Sequence, residues 1–161
     1  MKHLAVVLGI AGLLFAGCGK SAEQKHLEAE LWAKVKQLHD DTMAEVMKFG
    51  DLEQRMDAAV ARHDELANRY PRQMKDHTAD NLQAARAELE SLREKMDLWM
   101  KDFKPYDESL PHEQAMAVLS SNLEDLEGMK ASMTRAVAQA EAILAEHQAI
   151  AEGLMKKVGR R

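Results

Sequence analysis

Apolar residues recur at alternating spacings of three and four along three long stretches of the chain, and this spacing constrains the fold more than any other feature. The three stretches cover residues 31–66, 82–103 and 116–158. Polar residues fill the positions between the apolar ones. Each stretch is therefore predicted to form an amphipathic helix that buries its apolar seam against the other two helices.

Proline residues mark the predicted ends of these helices. Pro71 follows the first stretch, and Pro105 and Pro111 bracket the segment between the second and the third. Proline lacks an amide hydrogen and disfavours helical geometry in the residue before it. The sequence thus predicts an all-α, antiparallel three-helix bundle of coiled-coil type, with long helices over 22–68, 72–103 and 112–158.

A four-helix bundle is the alternative architecture. Gly50 is followed by Asp51 in the middle of the first predicted helix. Glycine weakens a helix interior by about 1 kcal/mol, and aspartate is a favourable N-cap residue. If the first helix breaks at this pair, the bundle has four helices.

The first 17 residues have the pattern of an export signal. A positively charged residue, Lys2, precedes an apolar run over residues 4–15, and two small residues come just before Cys18. The apolar run is shorter than the roughly 20 residues of a membrane-spanning helix. Residues 1–17 are therefore predicted to be a removable signal peptide.

The end of this signal, Phe15-Ala16-Gly17-Cys18, resembles the lipobox of bacterial lipoproteins. The resemblance implies that Cys18 is lipidated and becomes the mature N-terminus, with residues 18–21 as a tether and 22–161 as the helical bundle. Acyl chains then hold the protein on a membrane. Gly19 after the cysteine favours the outer membrane, facing the periplasm.

The charge of the mature chain excludes one class of partner. After removal of residues 1–17 it carries 21 Lys and Arg against 27 Asp and Glu, a net charge of −6. A nucleic-acid-binding surface needs a basic stripe, and the sequence contains none, so no nucleic-acid partner is predicted. The single cysteine also excludes a disulfide within the mature chain.

Methionine, histidine and tryptophan residues are predicted to meet at one end of the bundle. Antiparallel packing of the three helices places these residues at similar heights. Thioether and imidazole groups suit Cu(I) or Ag(I), and an indole ring can shield such a cation. The predicted soft-metal set is His39, Met43, Met47, Met96, Trp99, Met100, His112 and Met116.

The alternative interpretation of these residues is ordinary core packing, because methionine fills irregular gaps and tryptophan packs over a large area. On that interpretation the protein has no cofactor. A di-iron site at Glu23 and His26 is less favoured, since the motif occurs once. A haem held by His39 or His112 with a methionine is a similar minor alternative. The chain has no motif for nucleophilic catalysis or phosphate binding, and we expect no enzymatic activity.

Two short motifs resemble those of a group of small bacterial envelope lipoproteins often labelled "viral A-type inclusion protein". The motifs are HD-x-x-M over residues 39–43 and M-x-x-WM-x-x-F over residues 96–103, and the similarity covers most of the mature chain. The resemblance implies a helical fold and an envelope location, and it supplies no biochemical activity. The residues that it marks are His39, Asp40, Met43, Trp99, Met100 and Phe103.

Two functions are consistent with this sequence. The first is a non-catalytic, membrane-anchored lipoprotein whose bundle is a structural or protein-interaction module. The second is a Cu(I)- or Ag(I)-binding protein. An interaction module needs an exposed apolar stripe for a second copy or a helical partner. The outer helices overhang the middle one, which predicts exposed stripes at Leu27, Leu31 and Trp32 and at Leu144, Ile150, Leu154 and Val158.

Overall fold

Three long helices and one short helix form the fold in a computed structural model that describes residues 19–159. They are α1 (Ala22–Arg69), α2 (Pro71–Met74), α3 (Asp80–Asp102) and α4 (His112–Val158). The predicted all-α bundle is confirmed, and no strand occurs within residues 19–159. The predicted signal peptide, Cys18 and residues 160–161 lie outside the described residues.

Helix α1 begins at a capping box and continues without a break. The hydroxyl of Ser21 accepts a hydrogen bond from the amide of Gln24, and the Gln24 side chain accepts one from the Ser21 amide. The helix passes through Gly50, so the predicted alternative break at this residue is not observed. Phe49 and Leu52 are both buried beside it, and their packing outweighs the weak helix propensity of glycine.

The second long helix begins later than predicted. Pro71 does not begin the long helix: it occupies the first turn of α2, where proline is favourable, and α2 ends after one turn. Met74 is buried against Leu66 and Leu154. Because this contact holds α2 across the end of the bundle, the chain turns over residues 75–79 before α3 starts. The predicted start at residue 72 is therefore wrong by eight residues.

Helix α3 runs antiparallel to α1 and α4, which are parallel to each other. The most extensive packing in the fold is between α1 and α4. We call the end where α1 begins the proximal end and the opposite end the distal end. Ion pairs between the helices show their relative directions. They are Glu53–Arg93 and Asp57–Arg86 between α1 and α3, and Asp41–Lys130 and Arg55–Glu141 between α1 and α4.

Two clusters of buried, mainly aliphatic and methionine side chains form the core, a large one along the bundle and a small one at its distal end. No helix within residues 19–159 is both long and apolar enough to cross a membrane. The largest fully buried side chains are contributed by all three long helices, which makes the core a joint product of the predicted seams. They include Phe49, Leu52, Met56, Leu82, Leu89, Met96, Leu119, Leu126, Met129 and Met133.

The predicted exposed stripe at the proximal end is mostly covered. Phe103 and Tyr106, from the connection between α3 and α4, pack their rings against Trp32. Leu31 and Trp32 are half-buried against the core, and only Leu27 stays exposed. The prediction is wrong here because the aromatic residues of the connection extend the core beyond the end of α3.

The predicted stripe at the distal end is covered as well. Leu144 and Leu154 are buried, and Ile150 and Val158 are half-buried. Met74 of α2 supplies part of the cover by packing on Leu154. The late start of α3 thus leaves room for α2, which covers the part of this stripe around Leu154, whereas Leu144 and Ile150 line a groove between α1 and α4.

Candidate functional site

Five aromatic rings form a row at the proximal end. Trp32 stacks on Phe103, with ring centroids 6.0 Å apart and planes 12° apart, and it also contacts Tyr106. Phe103 contacts Trp99 at 4.8 Å, and Trp99 stacks on His39 at 6.0 Å. Contacts of this kind stabilise a pair of rings by about 1 kcal/mol beyond the area they bury. The row therefore fixes the connection before α4 onto α1 and α3.

A groove with a volume of about 320 Å³ lies beside this row, between α1 and α3. Its walls are mainly aromatic, and its rim carries an ammonium, an imidazole and a carboxylate. The ammonium of Lys36 lies 5.7 Å from the centre of the Trp32 ring, within reach of a cation–π contact. We call it the proximal groove, and its lining residues are Trp32, Val35, Lys36, His39, Asp40, Trp99, Met100 and Phe103.

The residues marked by the family resemblance meet at this groove, with one exception. All of them line the proximal groove apart from Met43, which packs against the core. His39 Nδ1 lies 3.2 Å from a carboxylate oxygen of Asp40, so the two polar residues of the first motif contact each other. The two motifs therefore form the two walls of one groove.

The predicted soft-metal set does not come together as a whole. His39, Trp99 and Met100 line the proximal groove. Met96 is buried in the core, and Met47 is 82% exposed. Each step of four residues along a helix turns a side chain by about 40°, so a stripe that starts at His39 has rotated towards solvent by residue 47.

The two predicted ligands on α4 are also placed elsewhere. His112 bonds to the carboxylate of Glu28, and Met116 is half-buried outside the proximal groove. Within residues 19–159, no three His, Cys, Asp or Glu side chains are arranged so that they could hold a metal. Glu23 and His26 are both exposed, and His26 lies 3.5 Å from Glu30.

A buried glutamate at the proximal end is the feature that the sequence analysis missed. Glu28 is fully buried. Its Oε2 atom accepts a hydrogen bond from Lys20 Nζ at 2.5 Å and another from the Tyr106 hydroxyl, and its Oε1 atom lies 2.8 Å from His112 Nδ1. The carboxylate thus joins the segment before α1, the connection after α3 and the first residue of α4.

The surroundings of Glu28 favour its charged form. Burial alone raises the pKa of the carboxyl group, but the hydrogen bonds from Lys20, Tyr106 and His112 outweigh it and lower the pKa from 4.5 to about 2. The hydrogen bond between the Tyr106 hydroxyl and Glu28, together with burial, raises the pKa of Tyr106 to about 12. Glu28 is therefore ionised at neutral pH, and its charge is paired with the ammonium of Lys20.

The sequence did contain a signal for Glu28. The residue lies three positions before Leu31 and seven before Val35, so it continues the apolar seam of α1 by one step. A glutamate on a buried seam needs polar partners from other segments. Its position could have been noted from the sequence, but its partners could not.

A pair of histidines lies at the distal end. His63 and His147 contact each other edge to face, with ring centroids 5.9 Å apart. His63 Nε2 lies 3.2 Å from the backbone oxygen of His77, and His147 Nε2 lies 2.7 Å from the side-chain oxygen of Asn81. Burial, and then the neighbouring His63, lower the pKa of His147 below its ordinary value of 6.5.

This lowered pKa predicts that acid weakens the distal end. The folded chain disfavours protonation of His147. The contribution of the neutral imidazole to the free energy of unfolding is therefore complete above pH 6.5 and is lost as the pH falls below that value. We expect the Tm to fall more between pH 7.5 and 5 in the parent chain than in His147→Gln, as followed by circular dichroism. The exposed His26→Gln serves as the control, and an equal fall in all three chains would contradict the assignment.

Comparisons with protein-family models, with curated proteins and with solved structures find no match to this chain. The resemblance to envelope lipoproteins therefore remains a prediction from its two motifs. What the fold itself contributes is an all-α bundle with an aromatic groove and a buried carboxylate at the end next to Cys18.

Proposed function

We propose that this chain is a non-catalytic lipoprotein of the bacterial cell envelope whose helical bundle serves as a structural or protein-interaction module. The signal over residues 1–17 and the lipobox ending at Cys18 support the membrane anchor. The residue after the cysteine favours the outer membrane, with the bundle in the periplasm.

The observation that carries this proposal is the ion pair that holds Lys20, two residues after Cys18 in the sequence, against the buried Glu28. Only Gly19 and Lys20 separate Cys18 from the Ser21 cap of α1. Lys20 is held by Glu28 through an ion pair at 2.5 Å. A flexible tether would let the bundle tumble freely above a membrane, whereas this short, paired segment mounts it by one end.

A bundle that is attached to a membrane in this way presents its proximal groove at a fixed distance from the membrane surface. Helix α1 has 48 residues and is about 72 Å long. The proximal groove lies within the first two fifths of this length, beside Trp32 and Trp99. Aromatic grooves of this kind are typical anchor points of protein interfaces, and a helix of another protein or of a second copy is the partner that we propose.

The anchor is tested by replacing Cys18 in the full-length protein. We expect the parent chain to incorporate labelled palmitate and to stay in the membrane pellet after a high-salt wash, because several acyl chains make attachment effectively permanent. Cys18→Ala should incorporate no label and appear in the soluble fraction.

Lys20→Ala is the matched control, since it keeps the cysteine and removes only the ion pair with Glu28. It should remain in the membrane pellet. Release of the parent chain into the soluble fraction, or palmitate labelling of Cys18→Ala equal to that of the parent, would exclude a lipid anchor at Cys18.

A second candidate function is the binding of Cu(I) or Ag(I) at the proximal groove. It is favoured by one observation, the placement of His39, Trp99 and Met100 around the same groove. A thioether and an imidazole are suitable donors for a soft monovalent cation, and the Trp99 ring can cover it.

This candidate predicts that Ag(I) raises the Tm of the parent chain and quenches its tryptophan fluorescence. Met100→Leu keeps the volume of the side chain and removes the sulfur, so the metal effect should disappear while the Tm without metal changes little. Met47→Leu, at an exposed position outside the groove, is the control and should respond to Ag(I) as the parent does. An equal response from Met100→Leu would exclude the groove as the site.

A further inference from the structure

A second and larger groove lies at the distal end, between α1 and α4. Its volume is about 660 Å³, within the range of sites for small ligands. On α1 it extends from Arg55 to Leu66, a helical rise of about 17 Å. We call it the distal groove. Its floor is apolar and includes Ala59, Leu66, Met74, Leu144, Ile150 and Ala151.

One polar side chain that lines the distal groove, His63, has a ring nitrogen without a hydrogen-bond partner. The side chain of His63 is only 10% exposed, and its Nδ1 atom is buried without a hydrogen bond among residues 19–159. The carboxylate of Asp64 is 3.6 Å away, beyond hydrogen-bond distance. A buried polar atom left in this way costs free energy, which a suitable ligand would recover.

The chemistry of this atom is set by the other ring nitrogen. His63 Nε2 lies 3.2 Å from the His77 carbonyl oxygen, which can only accept, so Nε2 carries a hydrogen and donates it. In the neutral ring Nδ1 is then a bare acceptor. It can receive a hydrogen bond from an acidic O–H group, or take up that proton and donate it back to the resulting anion.

Most of the charged side chains on the rim of the distal groove are positive, whereas the whole protein is negative. Arg55, Arg62 and Lys156 line the distal groove against a single carboxylate, Glu152, although the mature chain has a net charge of −6. Arg55 is paired with Glu141 and Asp51, and Arg62 is paired with Glu65. Lys156 has no ion-pair partner among residues 19–159 and is available to an anionic ligand.

We propose that the distal groove binds a long-chain carboxylic acid. Its acyl chain lies along the apolar floor, and its carboxyl group meets His63 Nδ1. Lys156, further along α4 on the rim, attracts the anion at longer range. One proton is shared between the carboxyl oxygen and Nδ1, and no bond to carbon forms or breaks. A single acyl chain matches a narrow groove about 17 Å long between two parallel helices. This ligand site is independent of the proximal groove and of the lipid anchor.

The test uses a chain that begins at Gly19, which contains all four helices and both core clusters. Dodecanoate is titrated by calorimetry below its micelle concentration and compared with dodecyl maltoside, which has the same chain and an uncharged head. We expect one dodecanoate per chain and binding at least about tenfold tighter than that of the maltoside.

Three variants locate the ligand, two of them with matched controls. Ala58→Trp obstructs the groove, whereas Ala61→Trp is equally exposed on α1 but does not line it. Lys156→Glu reverses a rim charge, and Lys157→Glu reverses its neighbour outside the groove. Ala58→Trp and His63→Phe should each weaken dodecanoate binding about tenfold or more, and Lys156→Glu somewhat less, whereas both controls should stay within about twofold of the parent.

Several results would overturn the proposal. Absence of dodecanoate binding, equal affinity for dodecyl maltoside, or full binding by Ala58→Trp would each exclude this site for a carboxylic acid. A concentration-dependent dimer in sedimentation that Ala58→Trp dissociates would show that a second copy fills the groove instead. Since Ala58 is exposed, this variant is expected to fold even if His63→Phe does not.

Discussion

Replacing Glu28 with alanine should lower the free energy of unfolding by about 3 kcal/mol at pH 7. The change leaves a cavity in a fully buried position and removes the acceptor of Lys20, Tyr106 and His112. Urea unfolding measures the loss. Glu30→Ala, two residues away at an exposed position, should change stability by no more than about 0.5 kcal/mol.

The pH dependence gives this prediction a second measurement. The pKa of Glu28 falls from 4.5 to about 2 on folding, so its contribution to stability is complete above pH 4.5 and is lost as the pH falls from 4.5 towards 2. The difference between the parent chain and Glu28→Gln should therefore shrink over that interval. A difference that stays constant with pH, or a loss below about 1 kcal/mol in Glu28→Ala, would show that the cluster does not depend on the charge of Glu28.

Replacing Phe49 with alanine should have the largest effect in the core, about 4 kcal/mol. Phe49 has no exposed surface and lies directly before Gly50, where the intrinsic helix propensity is weakest. Its removal leaves a cavity and also weakens the packing that holds α1 continuous. Urea unfolding gives the overall loss, and hydrogen exchange at the Gly50 amide reports whether the helix opens locally.

Phe49→Leu is the conservative partner of this variant. Leucine keeps most of the buried apolar volume, so the loss should be about 1.5 kcal/mol or less and the Gly50 amide should stay protected. If Phe49→Ala and Phe49→Leu are equally stable, the centre of the bundle is packed loosely enough to collapse around the missing ring. The continuity of α1 would then have to rest on other contacts.

The candidate site could be predicted only in part. His39, Trp99 and Met100 were expected to meet, and they do, because antiparallel helices of known ends place them at the same height. Met47 was expected with them and faces solvent. The height of a residue along the bundle axis follows from counting residues. The direction in which its side chain points depends on small rotations that add up over the length of the helix.

What the sequence determined by itself is the class of fold and the ends of most helices. The three-and-four spacing and the prolines act within a few residues of where they occur, so they can be read locally. Only the tertiary structure decided what surrounds Glu28, His63 and the two grooves. Their neighbours come from segments distant in sequence, as with Glu28 and His112, which are 84 residues apart. Such contacts depend on helix register and on where connections such as α2 fold back, and neither is specified by a local pattern.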